Sequence, residues 1–198
     1  MTNTMKRLLF ILPLAILVGC TGGTQQPQEH TSAEDSLSKT IEHWPKEIRG
    51  TAGDGTSMNV IEVVTNDSDT LYITTPAQTV AGGIEAGDEV DIIYNANGDE
   101  NTGVVAINIS TLTKVWNHTN TLGAKQSIEL CGNGDVNTWN MPAPSYDSWK
   151  LEGGKLLMHS PAVLAKEISE HTDTFDILSL KRNELVLSLH SQEFIYTR

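Results

Sequence analysis

Six histidines, two cysteines and 25 carboxylates are the side chains of this sequence that could do chemistry. The histidines (His30, His43, His118, His159, His171 and His190) are scattered without ligand spacing. Surface or strand-packing roles are the commoner use of such residues. The sequence contains no His-Glu-x-x-His, Gly-x-Ser-x-Gly, Cys-x-x-Cys, P-loop or dinucleotide Gly-rich turn. Asp67 and Asp69 flank Ser68 and could chelate a cation. A solvated hairpin turn is the commoner use of Asn-Asp-Ser-Asp, because these short side chains bond their own backbone. Asn97 to Asn101 lacks the acidic spacing and closing Glu of a calcium loop. The sequence therefore predicts no metal site, no cofactor and no catalytic residue.

The one residue with a readable chemical fate is Cys20. Lys6 and Arg7 form a positive start, followed by an apolar run from Leu8 to Leu17. A bilayer-spanning helix needs roughly twenty apolar residues, and Pro13 interrupts even this shorter run. Residues 1–19 thus read as a cleaved secretion signal. Leu17-Val18-Gly19-Cys20 resembles the lipobox of bacterial lipoproteins, whose cysteine is diacylated and becomes the new N-terminus. The resemblance implies lipidation of Cys20 and a place in the bacterial cell envelope. Thr21-Gly22-Gly23 lacks the Asp that holds some lipoproteins in the inner membrane and the acidic cluster that sends others to the surface. The expectation is the outer membrane, facing the periplasm.

Without residues 1–19, which hold Lys6 and Arg7, 11 basic and 25 acidic residues remain, a net charge of −14. Such a chain repels phosphate backbones, which excludes nucleic acid as a partner. It also repels anionic lipid, so membrane attachment rests on the acyl chains of Cys20. Cys131 is then left without an intramolecular partner. It follows Ile128-Glu129-Leu130 and reads as a packed strand thiol.

Residues 20–44 contain almost nothing apolar and read as a flexible tether. The pattern then turns β. Met58 to Val64 and Thr70 to Thr74 flank the Asn66 to Asp69 turn and read as a hairpin. Pro76 to Ile84 is a broken connection. Glu89 to Tyr94 is a strand, Asn95 to Gly103 a polar loop, and Val104 to Val115 a long strand. About five strands over 45–113 suit a small closed or partly closed barrel. Gly83 to Tyr94 resembles the Gly-Asp-x-Val turn and strand of OB-like barrels in envelope lipoproteins.

Turn signals then recur at Asn133-Gly134, Pro142-Ala143-Pro144, Gly153-Gly154, Lys181-Arg182-Asn183 and Ser191-Gln192. Alternating runs of about five to seven residues lie between them. Seven or eight such strands predict an up-and-down meander that closes on itself. Asn133 to Met141, Tyr146 to Met158, Asp173 to Leu180, Leu185-Val186-Leu187 and Tyr196-Thr197-Arg198 occur in the order of the lipocalin-like domain of Bacteroidetes-type lipoproteins. Residues 114–198 resemble that family, departing from it at Trp139 and over 161–170. The expected fold is all-β: an OB-like barrel at 45–113, then a lipocalin-like barrel at 114–198.

A barrel of eight short strands is filled by side chains or holds one small ligand. The large inward set predicted here (Trp139 or Trp149, Met158, Phe175, Leu187) points to a filled barrel. Tyr146 and Trp149 are three apart, so on one strand they would face opposite sides. Tyr146, Trp149 and Trp139 are therefore the candidate ligand or barrel-mouth residues, beside a 161–170 loop. The function this predicts is a lipid-anchored, non-enzymatic binding or interaction module, with a small hydrophobic ligand or an envelope protein as partner. One alternative is an envelope stress-sensing or structural protein. Two-barrel lipoproteins that sense copper or surface contact pair similar folds in the opposite order, but their Cys-x-x-Cys is missing here. The other alternative is a hydrolase with histidines and carboxylates meeting between the domains.

Overall fold

Strands β1 (Lys46–Ala52), β2 (Val60–Val64) and β3 (Thr70–Thr74) form an antiparallel meander. The structure, a computed structural model, describes residues 44–141, 145–164 and 167–198, without the side chains of 162–169. Residues 1–43, which hold the expected secretion signal, Cys20 and most of the expected tether, lie outside the described residues. Alternation turns Ile61, Val63 and Ile73 inward, where they are buried. The turn between β2 and β3 is the solvated one expected: Ser68 takes φ 65° and Asp69 N donates to Thr65 Oγ1 at 3.2 Å.

After a 3-10 turn (Ala77–Thr79) comes β4 (Val80–Ala81), then β5 (Glu89–Asn97) and β6 (Glu100–Asn108). The sheet runs β3-β2-β1-β5-β6-β4, and a parallel contact at Thr74↔Thr102 brings β3 to β6 and closes it. The predicted polar loop at 95–103 is instead a tight hairpin. Its strands continue to Asn97 and resume at Glu100, with Gly98 at φ 64° making the turn.

The predicted strand over Val104 to Val115 is also corrected. β6 ends at Asn108 and a single helical turn, α1 (Ile109–Leu112), follows. Asn108 is the reason: its side chain accepts from Thr111 N at 2.7 Å and caps the turn. The same side chain donates to Gly83 O and, at 2.8 Å, to Asp88 Oδ2, so a buried amide is fully satisfied.

The second sheet holds β7 (Val115–Thr119), β8 (Lys125–Leu130), β9 (Val136–Trp139), β10 (Ser148–Glu152), β11 (Lys155–Leu164), β12 (Glu167–Lys181), β13 (Glu184–Leu189) and β14 (Gln192–Thr197). Its order is β10-β11-β12-β13-β14-β7-β8-β9. The last strand returns to the first at Thr197↔Asn117, and β9 nearly meets β10 through an Asp135↔Ser148 bridge. This is the predicted self-closing meander. The fold is all-β, with one closed and one nearly closed barrel.

Two lengths differ from expectation. β11 and β12 have 10 and 15 residues, and they pair from Lys155↔Asp176 to Leu164↔Glu167. The predicted loop at 161–170 is therefore largely paired strand. Pro161 is tolerated because β10 accompanies β11 only as far as His159, so beyond it β11 is an edge and needs no N–H on that side.

Every described residue lies in one compact unit, Ile41–Arg198. The first barrel has a modest core of Ala52, Ile61, Val63, Ile73, Val90, Ile92, Tyr94 and Ala106. The second has a larger one that includes Trp116, Trp149, Leu156, Met158, Phe175, Leu187 and Tyr196. Ile107, Ile109 and Leu112 belong to this second core, although they precede its first strand. They plug its lower end with apolar surface. Gly82 N donates to Leu180 O at 3.0 Å across the junction. A Cβ at Gly82 would lie 2.8 Å from Asn108 Cβ, so the contact requires glycine.

Candidate functional site

In an up-and-down meander alternate turns lie at the same end. The turns at 131–135, 153–154 and 182–183 share the end that α1 plugs. The turns at 120–124 and 190–191 and the connection from β9 to β10 share the other. That second, open end carries the candidate site.

Tyr146 sits there, half-buried, in the chain just before β10. Its hydroxyl donates to Asp173 Oδ2 at 2.6 Å. Asp173 Oδ1 lies 2.9 Å from His171 Nε2. The Asp173 side chain is 9% exposed and that of His171 56%. Burial first, then the hydrogen bond and charge of Asp173, push the Tyr146 phenol well above its usual range. It stays a proton donor. The site therefore offers a buried carboxylate with both oxygens engaged, a locked phenol and an accessible imidazole.

Aromatic rings continue the wall inward. Tyr146 meets Phe175 edge-on at 6.2 Å between centroids, and Phe175 meets Phe194 likewise at 6.2 Å. His118 lies 5.3 Å from the ring of Tyr196, whose phenol burial pushes up to about 12. His118 Nδ1 is also 2.8 Å from Ile195 O, bridging β7 and β14 where their backbones part. Outside this seam runs an open groove of about 660 Å³, lined by residues such as Lys125, Glu193 and Ile195.

The three candidates from the sequence separate. Trp149 is core: 7% exposed, with Nε1 donating to Cys131 O at 2.9 Å. Trp139 is 46% exposed on β9, paired with Ser127, and is not brought near Tyr146 by any contact described. Tyr146 and Trp149 both pack on the same core. The opposite-face expectation fails because Tyr146 precedes β10, so strand parity does not reach it. Cys20, the lipidation candidate, lies outside the described residues. Cys131 falls just past β8, half-buried in a turn, where its Sγ accepts from Asn137 Nδ2 at 3.5 Å. It is a turn residue and not the packed strand thiol expected. Desolvation first, then Glu129 and Asp135, raise its thiol, which makes it a poor nucleophile.

Asp173 and His171 were not singled out from the sequence. Their signal was the i, i+2 spacing of His171-Thr172-Asp173, which on a strand puts both on one face. Among the described residues no three His, Cys, Asp or Glu converge as a metal site. The cleft where the barrels meet is lined by Gly82, Glu85, Asp88, Asn108, Thr111 and Arg182, among others, and by no histidine.

Comparison with known proteins bears out the resemblance of the second barrel. Residues 108–198 match the lipocalin-like family. A solved lipocalin-like protein from Bacteroides thetaiotaomicron VPI-5482 is 29% identical, covering 44% of this chain and 95% of its own, with a TM-score of 0.38. No curated protein matches the chain.

Proposed function

We propose that this chain is a non-enzymatic interaction module, anchored through a lipid on Cys20 to the periplasmic face of a bacterial outer membrane. It binds an envelope protein through the open end of its second barrel. The observation that carries this reading is the filled interior. Trp116, Leu156, Met158, Leu185 and Leu187 are fully buried inside the second barrel. A calyx ligand would have to displace them, and cores packed to this degree do not yield such space cheaply. Recognition is thereby left to the rim, where Tyr146, Asp173 and the accessible His171 meet. A small hydrophobic ligand held at that rim is the variant reading.

The lipocalin-like match favours binding over catalysis. The hydrolase reading asks for histidine and carboxylate converging between the barrels. Glu85, Asp88 and Arg182 reach that cleft without a histidine, which favours the non-enzymatic reading.

Native mass spectrometry of the protein drawn from its own envelope tests the reading. A co-purifying protein, lost on His171→Ala with Tyr146→Phe, is the expected result. A small molecule retained by the wild type, with no protein partner, would replace it with the ligand reading. For the anchor, Cys20→Ala should move the protein from the membrane pellet to the soluble fraction. A mutant that still pellets with membranes removes Cys20 as the attachment point.

A further inference from the structure

The two barrels meet through the outer face of β1, β5 and β6. Strand alternation places Glu47 and Arg49 of β1, Asp91 and Ile93 of β5, and Val105 and Ile107 of β6 on this face. Ile107 is buried in the second barrel's core and Val105 packs against it. The Gly153-Gly154 turn of the second barrel lies on the same face. A Cβ at Gly154 would lie 3.2 Å from Ile93 Cδ1 and 3.4 Å from Val105 Cγ1.

A carboxyl group sits within this apolar contact. Asp91 is 7% exposed. Its cross-strand neighbours are Arg49 and Ile107. Arg49 is already held by Glu89, through Nε at 3.0 Å and Nη2 at 2.8 Å. Glu47 stands on the same face, diagonal to Asp91 across β1 and β5, and its Oε2 accepts from Gly153 N across the junction at 3.3 Å.

The charged groups around Asp91 are thus Glu47 and Arg49 from β1 and Glu89 from its own strand. β6 brings Val105 and Ile107, and α1 brings no charge. From the second barrel, Glu152 and Lys155 flank the glycine turn, but they pair with Lys150 and Asp176. Among the described residues no uncommitted cation faces the two carboxyl groups. Asp91 is buried in the contact and Glu47 stands exposed at its edge, and a buried carboxyl beside a second one resists ionising.

We propose that Asp91 and Glu47 form a proton-dependent latch between the barrels. With its proton, Asp91 donates to Glu47, and Glu47 holds the Gly153 amide. Without it, the carboxylates repel and the Glu47 contact to Gly153 opens.

Burial first, then the charge and hydrogen bond of Glu47, push the Asp91 carboxyl up to about 6 from 3.8, against a lowering by Arg49. The folded chain therefore binds this proton more tightly than the unfolded chain. The stabilisation is complete below pH 3.8 and is lost as pH rises through about 6.

The test uses the full mature chain in detergent, melted between pH 4.5 and 8, with exchange of the Gly153 amide followed by NMR. The wild type should lose roughly 5–10 °C in Tm across this range relative to Asp91→Asn. Its Gly153 amide, corrected for intrinsic exchange, should lose about tenfold or more in protection. Asp91→Asn should show neither change. Glu47→Gln should hold Gly153 protection constant and remove only part of the Tm change, because the burial of Asp91 remains, and its Gly153 readout carries the test alone if Asp91→Asn does not fold. Parallel pH profiles in wild type and variant would overturn the latch. So would a Tm difference with constant Gly153 protection, which would mean burial of Asp91 without a moving contact.

Discussion

The two barrels solve closure with unequal means. The first closes a six-stranded sheet around eight buried apolar residues, almost all of them small or aliphatic. The second wraps eight strands around a larger core that includes two tryptophans, and it draws three members of that core from the first barrel's end of the chain. Charge divides just as unevenly. Residues 45–113 hold 11 acidic and 2 basic residues, whereas residues 114–198 hold 10 and 8. The first barrel thus has less apolar burial with which to offset more self-repulsion. The difference gives the second barrel the larger share of apolar burial, with a plug drawn from the end of the first.

The largest effect should come from cutting between them. A fragment of 114–198 lacks Ile109 and Leu112, whereas 108–198 keeps them. The longer fragment should melt cooperatively and the shorter should not, read by circular dichroism during heating. A cooperative melt of 114–198 at the same temperature would show that the plug is dispensable and that the barrels are independent.

A smaller loss is expected from Trp149→Ala, about 3–5 kcal/mol, as for other truncations of buried aromatics. The exposed Trp139→Ala should stay within about 0.5 kcal/mol. Urea unfolding compares the two directly. Equal losses would erase the distinction between core and surface drawn for these residues. A change between these two is expected for Tyr146→Phe, about 1.5–3 kcal/mol, the range for one hydrogen bond to a charged group. Because Asp173 keeps His171, the variant should remain folded with an unchanged near-ultraviolet core signal. A loss comparable to that of Trp149→Ala would place Tyr146 in the core and away from the rim.

Much of this architecture was legible from turns. Asn133-Gly134 and Gly153-Gly154 mark real turns because positive φ at Gly134, Gly153 and Gly154 is what those residues permit. The break at Asn108 was hidden because Ile107, Ile109 and Thr111 are β-formers by type. One capping side chain outweighed them. The paired stretch after Ser160 was hidden because Pro161 reads as a breaker unless the strand is known to be an edge there. At the site, the aromatics were visible but their depths were not. The partnership of Tyr146 with Asp173 spans 27 residues and depends on where β10 begins, which periodicity does not fix.

The seam between β7 and β14 bears on how this barrel is made. Six of its strand pairings join neighbours in sequence, through turns that close quickly. Only Thr197↔Asn117 joins the two ends of the meander, across 80 residues. Closing so long a loop costs about 4 kcal/mol in chain entropy, and a single ladder pair returns little of it. Refolding is thus expected to zip the hairpins first and to seal the seam last, with the ring of His118 docking on Ile195 as a late event. Until then Trp116 and Tyr196, on the two strands that must meet, stand open to solvent. A refolding experiment should therefore see tryptophan burial lag behind the appearance of β-structure.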